Sequence, residues 1–174
     1  MKYIYLLLLV WLGVGCSSLE VHHDYDENYN FSKVRTFSIT HRVKEGESTL
    51  VNDRITSALK DVLTTKGYKN VQSDAADLIF VYHYGAKDKV DIRTDYQMVG
   101  IHRYGFGGSM IATQSTYKYT EASIIIDAYN PKTNKIVFRS IGTLELEHQK
   151  TPQEKKAYVE KIILKVMKNF PSQK

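Results

Sequence analysis

One stretch, residues 116–147, restricts the fold more than any other, because it reads as a single antiparallel hairpin. Along Thr116 to Tyr129, the residues Ile124, Ile126 and Ala128 share one face of an extended chain. Asn130-Pro131-Lys132-Thr133-Asn134 then supplies consecutive turn formers. The return, Lys135 to Glu147, puts Ile136, Phe138, Leu144 and Leu146 on one face and Arg139, Glu145 and Glu147 on the other. A strand pair with one apolar face needs a second layer to bury it, so the chain must provide helices or another sheet.

The rest of the chain provides helices. Val51, Ile55, Leu59, Val62 and Leu63 recur at helical spacing, which predicts a helix over Thr49 to Lys66 ended by Gly67. Thr151-Pro152-Gln153-Glu154 is a capping box with proline at the first helical position. It opens a second helix to about Asn169, with a stripe of Val159, Ile162, Ile163, Val166 and Phe170, and Pro171 stops it. Strands are expected at Leu19 to Tyr25 and Val34 to Thr40, with a short one at Tyr68 to Val71. In the first, Leu19, Val21 and His23 face one way and His22 and Asp24 the other. Asp77 to Tyr84 holds five consecutive apolar or aromatic residues, Leu78 to Tyr82, and reads as a central strand. Lys87 to Val99 continues as a more polar strand, and Gly100 to Ala112, rich in Gly and aromatics, reads as a mobile loop. No regular βαβ alternation is visible. The expected fold is α+β: a single domain with a mostly antiparallel sheet and two helices packed on one face.

The N-terminus has the order of an export signal. Lys2 precedes an apolar run from Ile4 to Leu12, and the small residues Gly13 and Gly15 precede Cys16. The run falls short of the about 20 apolar residues that cross a bilayer as a helix. Cys16 is the only cysteine, so it forms no internal disulfide. Leu12-Gly13-Val14-Gly15-Cys16 resembles a bacterial lipobox, although Gly13 stands where leucine is usual. The resemblance implies that Cys16 is acylated, for instance with palmitate, and that residues 1–15 are a lipoprotein signal peptide. Residues 16–20 are then the acylated cysteine and a short tether, and 21–171 the single α+β domain. Ser17 after the cysteine is similar to the outer-membrane sorting class, which implies a lipid anchor in the cell envelope, on the outer membrane facing the periplasm.

Removal of 15 of the 174 residues leaves 159, enough for one domain with a real core. The whole chain carries 24 Lys and Arg against 19 Asp and Glu, a charge of +5, and losing Lys2 leaves +4. The charges are mixed along the chain without a basic block, so nucleic acid is not an expected partner.

Further residues carry a family resemblance over almost the whole chain. They are Asp24-Tyr25-Asp26 with Asn30-Phe31-Ser32 and Thr36-Phe37, then Arg54-Ile55, Ala58, Leu59 and Lys66-Gly67-Tyr68. Ala76-Asp77-Leu78-Ile79, Ile126-Asp127, Lys135 to Arg139 and Phe170-Pro171 follow in order, as does the Gly-aromatic insert at 104–108. Together they resemble the bacterial lipoprotein family catalogued as domain of unknown function 4136, which more often has Trp where Phe138 stands. The resemblance implies an envelope lipoprotein with an α+β domain, and it supplies no catalytic residues.

No nucleophile elbow or phosphate loop occurs, and Cys16 serves as the anchor, so no catalytic residues, metal site or cofactor are assigned. The candidate binding residues are His102, Arg103, Tyr104 and Phe106, where aromatic and basic groups share the Gly-rich loop. The expected function is a non-enzymatic, membrane-anchored binding or assembly module. Its partners are the membrane, through acylated Cys16, and an envelope protein or glycan. The alternative is an envelope hydrolase using His83, His22 or His23, Asp24 and Asp127, which requires those groups to converge.

Overall fold

Alternating side chains give this sheet one apolar face, and both helices cover it. The computed structural model describes residues 19–43, 45–99, 109–147, 149 and 151–173, with the backbone alone for 97–99 and 109–111. The strands are β1 (Glu20–Tyr25), β2 (Thr36–Thr40), β3 (Lys69–Asn70), β4 (Leu78–Val99), β5 (Ser109–Asn130) and β6 (Lys135–Glu145). The helices are α1 (Thr49–Thr65), between β2 and β3, and α2 (Pro152–Val166), after β6. Among the described residues the sheet order is β1-β6-β5-β4-β2-β3. The pairs β1/β6, β6/β5 and β5/β4 are antiparallel, and β2 is parallel to both β4 and β3. The fold is therefore α+β with a mostly antiparallel sheet. It contains one feature absent from the sequence reading: β2 crosses over through α1 to parallel partners, which a short hairpin loop cannot do.

Even-numbered residues of β4, β5 and β6 form the covered face. Leu78, Phe80, Tyr82, Ile124, Ile126, Ala128, Phe138 and Leu144 are buried there with Phe37 of β2. Ile55, Ala58, Leu59 and Leu63 of α1, and Ile163 and Val166 of α2, close the layer. Each fully buried side chain of this kind contributes about 1.5–3 kcal/mol. Phe170 packs edge-on against Phe31, Phe80 and Phe138, so the residues after α2 lock the two ends of the chain together. Polar contacts fix both helices to the same row of the sheet. The Tyr82 hydroxyl donates to the Asn52 carbonyl of α1 (3.1 Å), and Ser140 Oγ donates to the Val166 carbonyl of α2 (2.8 Å). Among the described residues, every buried core residue lies between Val34 and Phe170, with Leu19 and Val21 packed against them.

Local signals produced the expected ends. Thr151 Oγ1 accepts from the Glu154 amide (3.1 Å) and Glu154 accepts from the Thr151 amide (3.0 Å), completing the capping box. Gly67 ends α1 at φ +94°, where a Cβ is disfavoured. Other expectations change. Val34 and Arg35 precede β2 rather than belonging to it, following a 3-10 turn at Phe31–Lys33. Asp77 to Tyr84 and Lys87 to Val99 form one unbroken strand, and residues 109–112, read as loop, belong to β5. The register slips between Ala128 and Tyr129, where Ala128 pairs with Phe138 but Tyr129 pairs with Ile136. This bulge buries the adjacent Val137 and Phe138 together and turns Ile136 to the opposite face, where it is exposed. Leu146, beyond the end of β6, is exposed as well.

Candidate functional site

The strongest departure from a closed domain is the far half of β4 and β5. β2 pairs with β4 only as far as Val81, and β6 pairs with β5 only as far as Glu121. Beyond that, Asp88 to Val99 and Thr120 to Ser109 pair with each other in continuous register, and among the described residues no third strand joins them, the Leu146 amide alone donating to the Thr120 carbonyl at the root (2.7 Å). Twelve such rungs rise about 40 Å at 3.4 Å each. An isolated two-stranded ribbon is marginally stable in water, and its free backbone edges invite partners.

The two faces of the ribbon differ. On the face that continues the helix-covered side of the sheet, Val90, Ile92 and Tyr96 are exposed by 58%, 59% and 67%. On the opposite face Lys89 pairs with Glu121 (2.8 Å) and Arg93 with Asp91 (3.0 Å). Tyr117 stacks near Tyr119 and donates its hydroxyl to Glu145. The Glu145 carboxylate raises the Tyr117 phenol above its ordinary value, and Glu121 raises the Lys89 ammonium in the same way. The odd-numbered face is thus held by its own ion pairs, while the even-numbered face exposes Val90, Ile92 and Tyr96 beside Lys118, Thr116 and the Asp88–Thr120 hydrogen bond (2.8 Å).

Next to the ribbon's root, α1 and α2 diverge over the sheet. The gap is a groove of about 590 Å³ whose walls include Val51, Tyr84, Ile124, Leu146, Val159 and Ile162. Leu50 at its mouth is 62% exposed. Arg54, Lys155 and Glu147 mark its rim. Burial pushes the Tyr84 phenol upward, and the Glu47 charge adds to the shift.

The uncovered side of the sheet carries structural polar groups. Asp127, almost fully buried, accepts two hydrogen bonds from Arg139, at 2.6 and 2.7 Å. Asp77 Oδ2 accepts from the amides of Arg35 (2.8 Å) and Thr36 (3.0 Å), joining the start of β2 to the start of β4. Burial opposes the Asp77 charge, but these amides, the Thr36 hydroxyl and Lys132 outweigh it and hold the carboxyl below its ordinary value. On the helix-covered side, His41 stacks on Tyr82 with ring centroids 4.2 Å apart and hydrogen-bonds Glu47 (2.8 Å).

The histidines and aspartates of the hydrolase alternative do not converge: Asp24 and Asp127 share a row but lie on either side of Arg139 in β6. His22 contacts Glu20 (2.9 Å), His23 contacts Asn169 (3.2 Å) from the other face, and Asp127 is engaged by Arg139. His83 and His22 occupy one row but are separated by β5 and β6, about 14 Å at the normal strand spacing. No group of three or more His, Cys, Asp or Glu side chains able to hold a metal occurs among the described residues.

Cys16 and the candidate binding residues His102, Arg103, Tyr104 and Phe106 lie outside the described residues. The ribbon and the groove were missed by the sequence reading. The signal for the ribbon was present: Val90, Ile92 and Tyr96 alternate with Lys89, Asp91, Arg93 and Asp95. The groove left no such mark, because α1, α2, the middles of β4 and β5 and the end of β6 meet there only after folding.

Comparison with known proteins is consistent with the fold. A family model described as "Domain of unknown function (DUF4136)" matches residues 21–172. No curated protein matches the chain. Among solved structures, a PDZ domain protein from Parabacteroides distasonis is similar at 14% identity and a TM-score of 0.54. The match covers 88% of this chain and 37% of that protein, so the chain spans little more than a third of it. Two structures of the PelC dodecamer from Paraburkholderia phytofirmans, one of them of a point variant, match at 9% identity and a TM-score of 0.53. They cover 90% of this chain and 99% of PelC. Identities this low establish a shared fold and nothing finer.

Proposed function

We propose that this chain, which belongs to the DUF4136 family, is a lipid-anchored binding or assembly module of the cell envelope. Cys16 is its acylated anchor, and the outer membrane facing the periplasm is its location. The observation that carries the reading is the β4–β5 ribbon, which leaves the sheet with exposed apolar side chains on one face and unpaired edges. A domain does not maintain such an element for its own core, because the ribbon adds nothing to it. The connection at the ribbon's tip carries His102, Arg103, Tyr104 and Phe106, the residues assigned to an envelope protein or glycan partner. PelC, which shares the fold, is a dodecamer; this favours assembly as one form the binding takes.

The test is an envelope pull-down with the fragment from Ser17 onward, beside a Tyr104→Ala, Phe106→Ala variant. Capture of a specific partner, lost in the variant, is the expected result. Identical recovery from both would refute the tip as the binding surface. The anchor is tested separately by fractionation with labelled palmitate: Cys16→Ser should leave the domain folded and release it from the membrane. Continued labelling of that variant would overturn the anchor.

A further inference from the structure

We infer that the apolar face of the β4–β5 ribbon is a lipid-contacting surface, laid against the bilayer that holds Cys16. The inference rests on the anchor proposed above and adds a second, non-covalent membrane contact to it.

The geometry comes from register. Glu20 lies in one row with Thr143, Ser123 and Gly85, and the ribbon begins three rungs further along β4. Leu19 sits at this same end: its Cδ1 lies 3.3 Å from the place a Cβ on Gly142 would occupy. Cys16 is three residues earlier, a reach of at most about 11 Å. The tether and the ribbon therefore leave the domain from one end. Only β6 separates β1 from the ribbon's strand β5, about 10 Å at the normal strand spacing, so a membrane that holds Cys16 lies within reach of the ribbon.

Only one face suits that contact. Val90, Ile92 and Tyr96 point from it without partners, whereas the other face holds the Lys89–Glu121 and Arg93–Asp91 pairs. Tyrosine is favoured at the membrane–water boundary, where its ring is buried and its hydroxyl stays wet. The same side of the sheet leads back past the Asp88–Thr120 rung to Ala86 and Tyr84 at the apolar groove. Over 88–96 and 112–120, three cations (Lys89, Arg93 and Lys118) balance three carboxylates (Asp88, Asp91 and Asp95). Of these, only Asp88 and Lys118 share the face of Val90, Ile92 and Tyr96, and their charges cancel, so the contact is driven by the apolar side chains and neither anionic lipid nor low salt is required for it.

The experiment is co-sedimentation of the fragment from Ser17 onward with vesicles of phosphatidylethanolamine and phosphatidylcholine, in low and high salt. The fragment contains every core residue among the described ones and lacks Cys16, so binding reports the domain without its anchor, and the variants below assign it to the ribbon. The wild-type fragment should sediment with lipid at both salt levels. Val90→Asp, Ile92→Asp, Tyr96→Asp together should weaken binding at least about tenfold, with an unchanged circular dichroism spectrum and melting temperature. Lys89→Ala with Arg93→Ala, on the other face, should bind as wild type does. A fragment that stays in the supernatant at every lipid concentration overturns the inference, as does equal binding by the two variants. Sedimentation velocity without lipid provides a further check: self-association abolished by the aspartate variant would assign the face to a second copy and overturn the membrane reading. Failure of the anchor alone would show as wild-type chain without palmitate label while the vesicle result stands.

Discussion

Replacing Gly142 with alanine should destabilise the domain by about 1.5 kcal/mol, although alanine is small and strands tolerate it. Gly142 is buried in β6, between Val21 of β1 and Ile124 of β5, beneath α2. A Cβ there would meet Val166 Cγ2 at 2.6 Å, Leu19 Cδ1 at 3.3 Å and Ile124 Cγ2 at 3.4 Å. Ordinary carbon contacts lie at about 3.5–4.0 Å, so α2 would have to move out by about 1 Å. Val166 cannot swing aside, because it is β-branched, 1% exposed and tied through its carbonyl to Ser140. Overpacking of this kind costs about 2 kcal/mol, offset by about 0.5 kcal/mol from the reduced entropy of the unfolded chain. Gly85 is the control, since nothing lies within 4 Å of a Cβ built on it. Gly85→Ala should keep the favourable half and gain about 0.5 kcal/mol. Urea and thermal denaturation of the fragment from Ser17 onward measure both, and Gly142→Ala should lower the melting temperature by about 3–6 °C. Adding Val166→Ala to Gly142→Ala should cost less than Val166→Ala alone, with a coupling of about 1 kcal/mol. A Gly142→Ala protein as stable as Gly85→Ala would refute the close approach of α2.

Asp77→Ala should cost about 2 kcal/mol at neutral pH by removing the carboxylate that the Arg35 and Thr36 amides bind. Because the folded carboxyl is held below its ordinary value, its contribution is present above the unfolded carboxylate range and lost as pH falls through the folded value; the gap between wild type and variant should narrow below about pH 4 in urea titrations. Arg139→Met leaves the Asp127 carboxylate buried and unpaired; because the Arg139 side chain is 45% exposed, a loss of about 2 kcal/mol is expected by calorimetry, below the full cost of breaking a buried pair. Replacing residues 88–120 with an Asn-Gly turn should leave the melting temperature within about 3 °C, and a larger fall would show that the ribbon supports the core.

The candidate site was only partly legible. The anchor motif and the Gly-aromatic tip stand out by composition, and the alternation along Lys89 to Tyr96 was also readable. Reading Lys87 to Val99 as a polar strand hid its apolar side, because half its positions are charged. Which side continues the helix-covered face follows from the pairing of Val90 with Lys118 and Tyr84 with Ile124, and that pairing is not a property of either segment alone.

The sequence by itself determined the elements whose causes are local: the Asn130–Asn134 turn, the Thr151–Glu154 capping box, the stripes of α1 and α2, and Gly67 at the end of the first helix. Each depends on groups within a few residues of one another, so a short window contains the whole cause. Tertiary structure alone decided the bulge that turns Ile136 outward and the parallel crossover from β2. It also decided the seat of α2 on Gly142 and the shared end at which β1 begins and the ribbon departs. These depend on register and close approach between segments far apart in the chain. One inserted residue reverses every side chain beyond it, and a missing Cβ matters only where a side chain from another element fills the space, as Val166 does at Gly142.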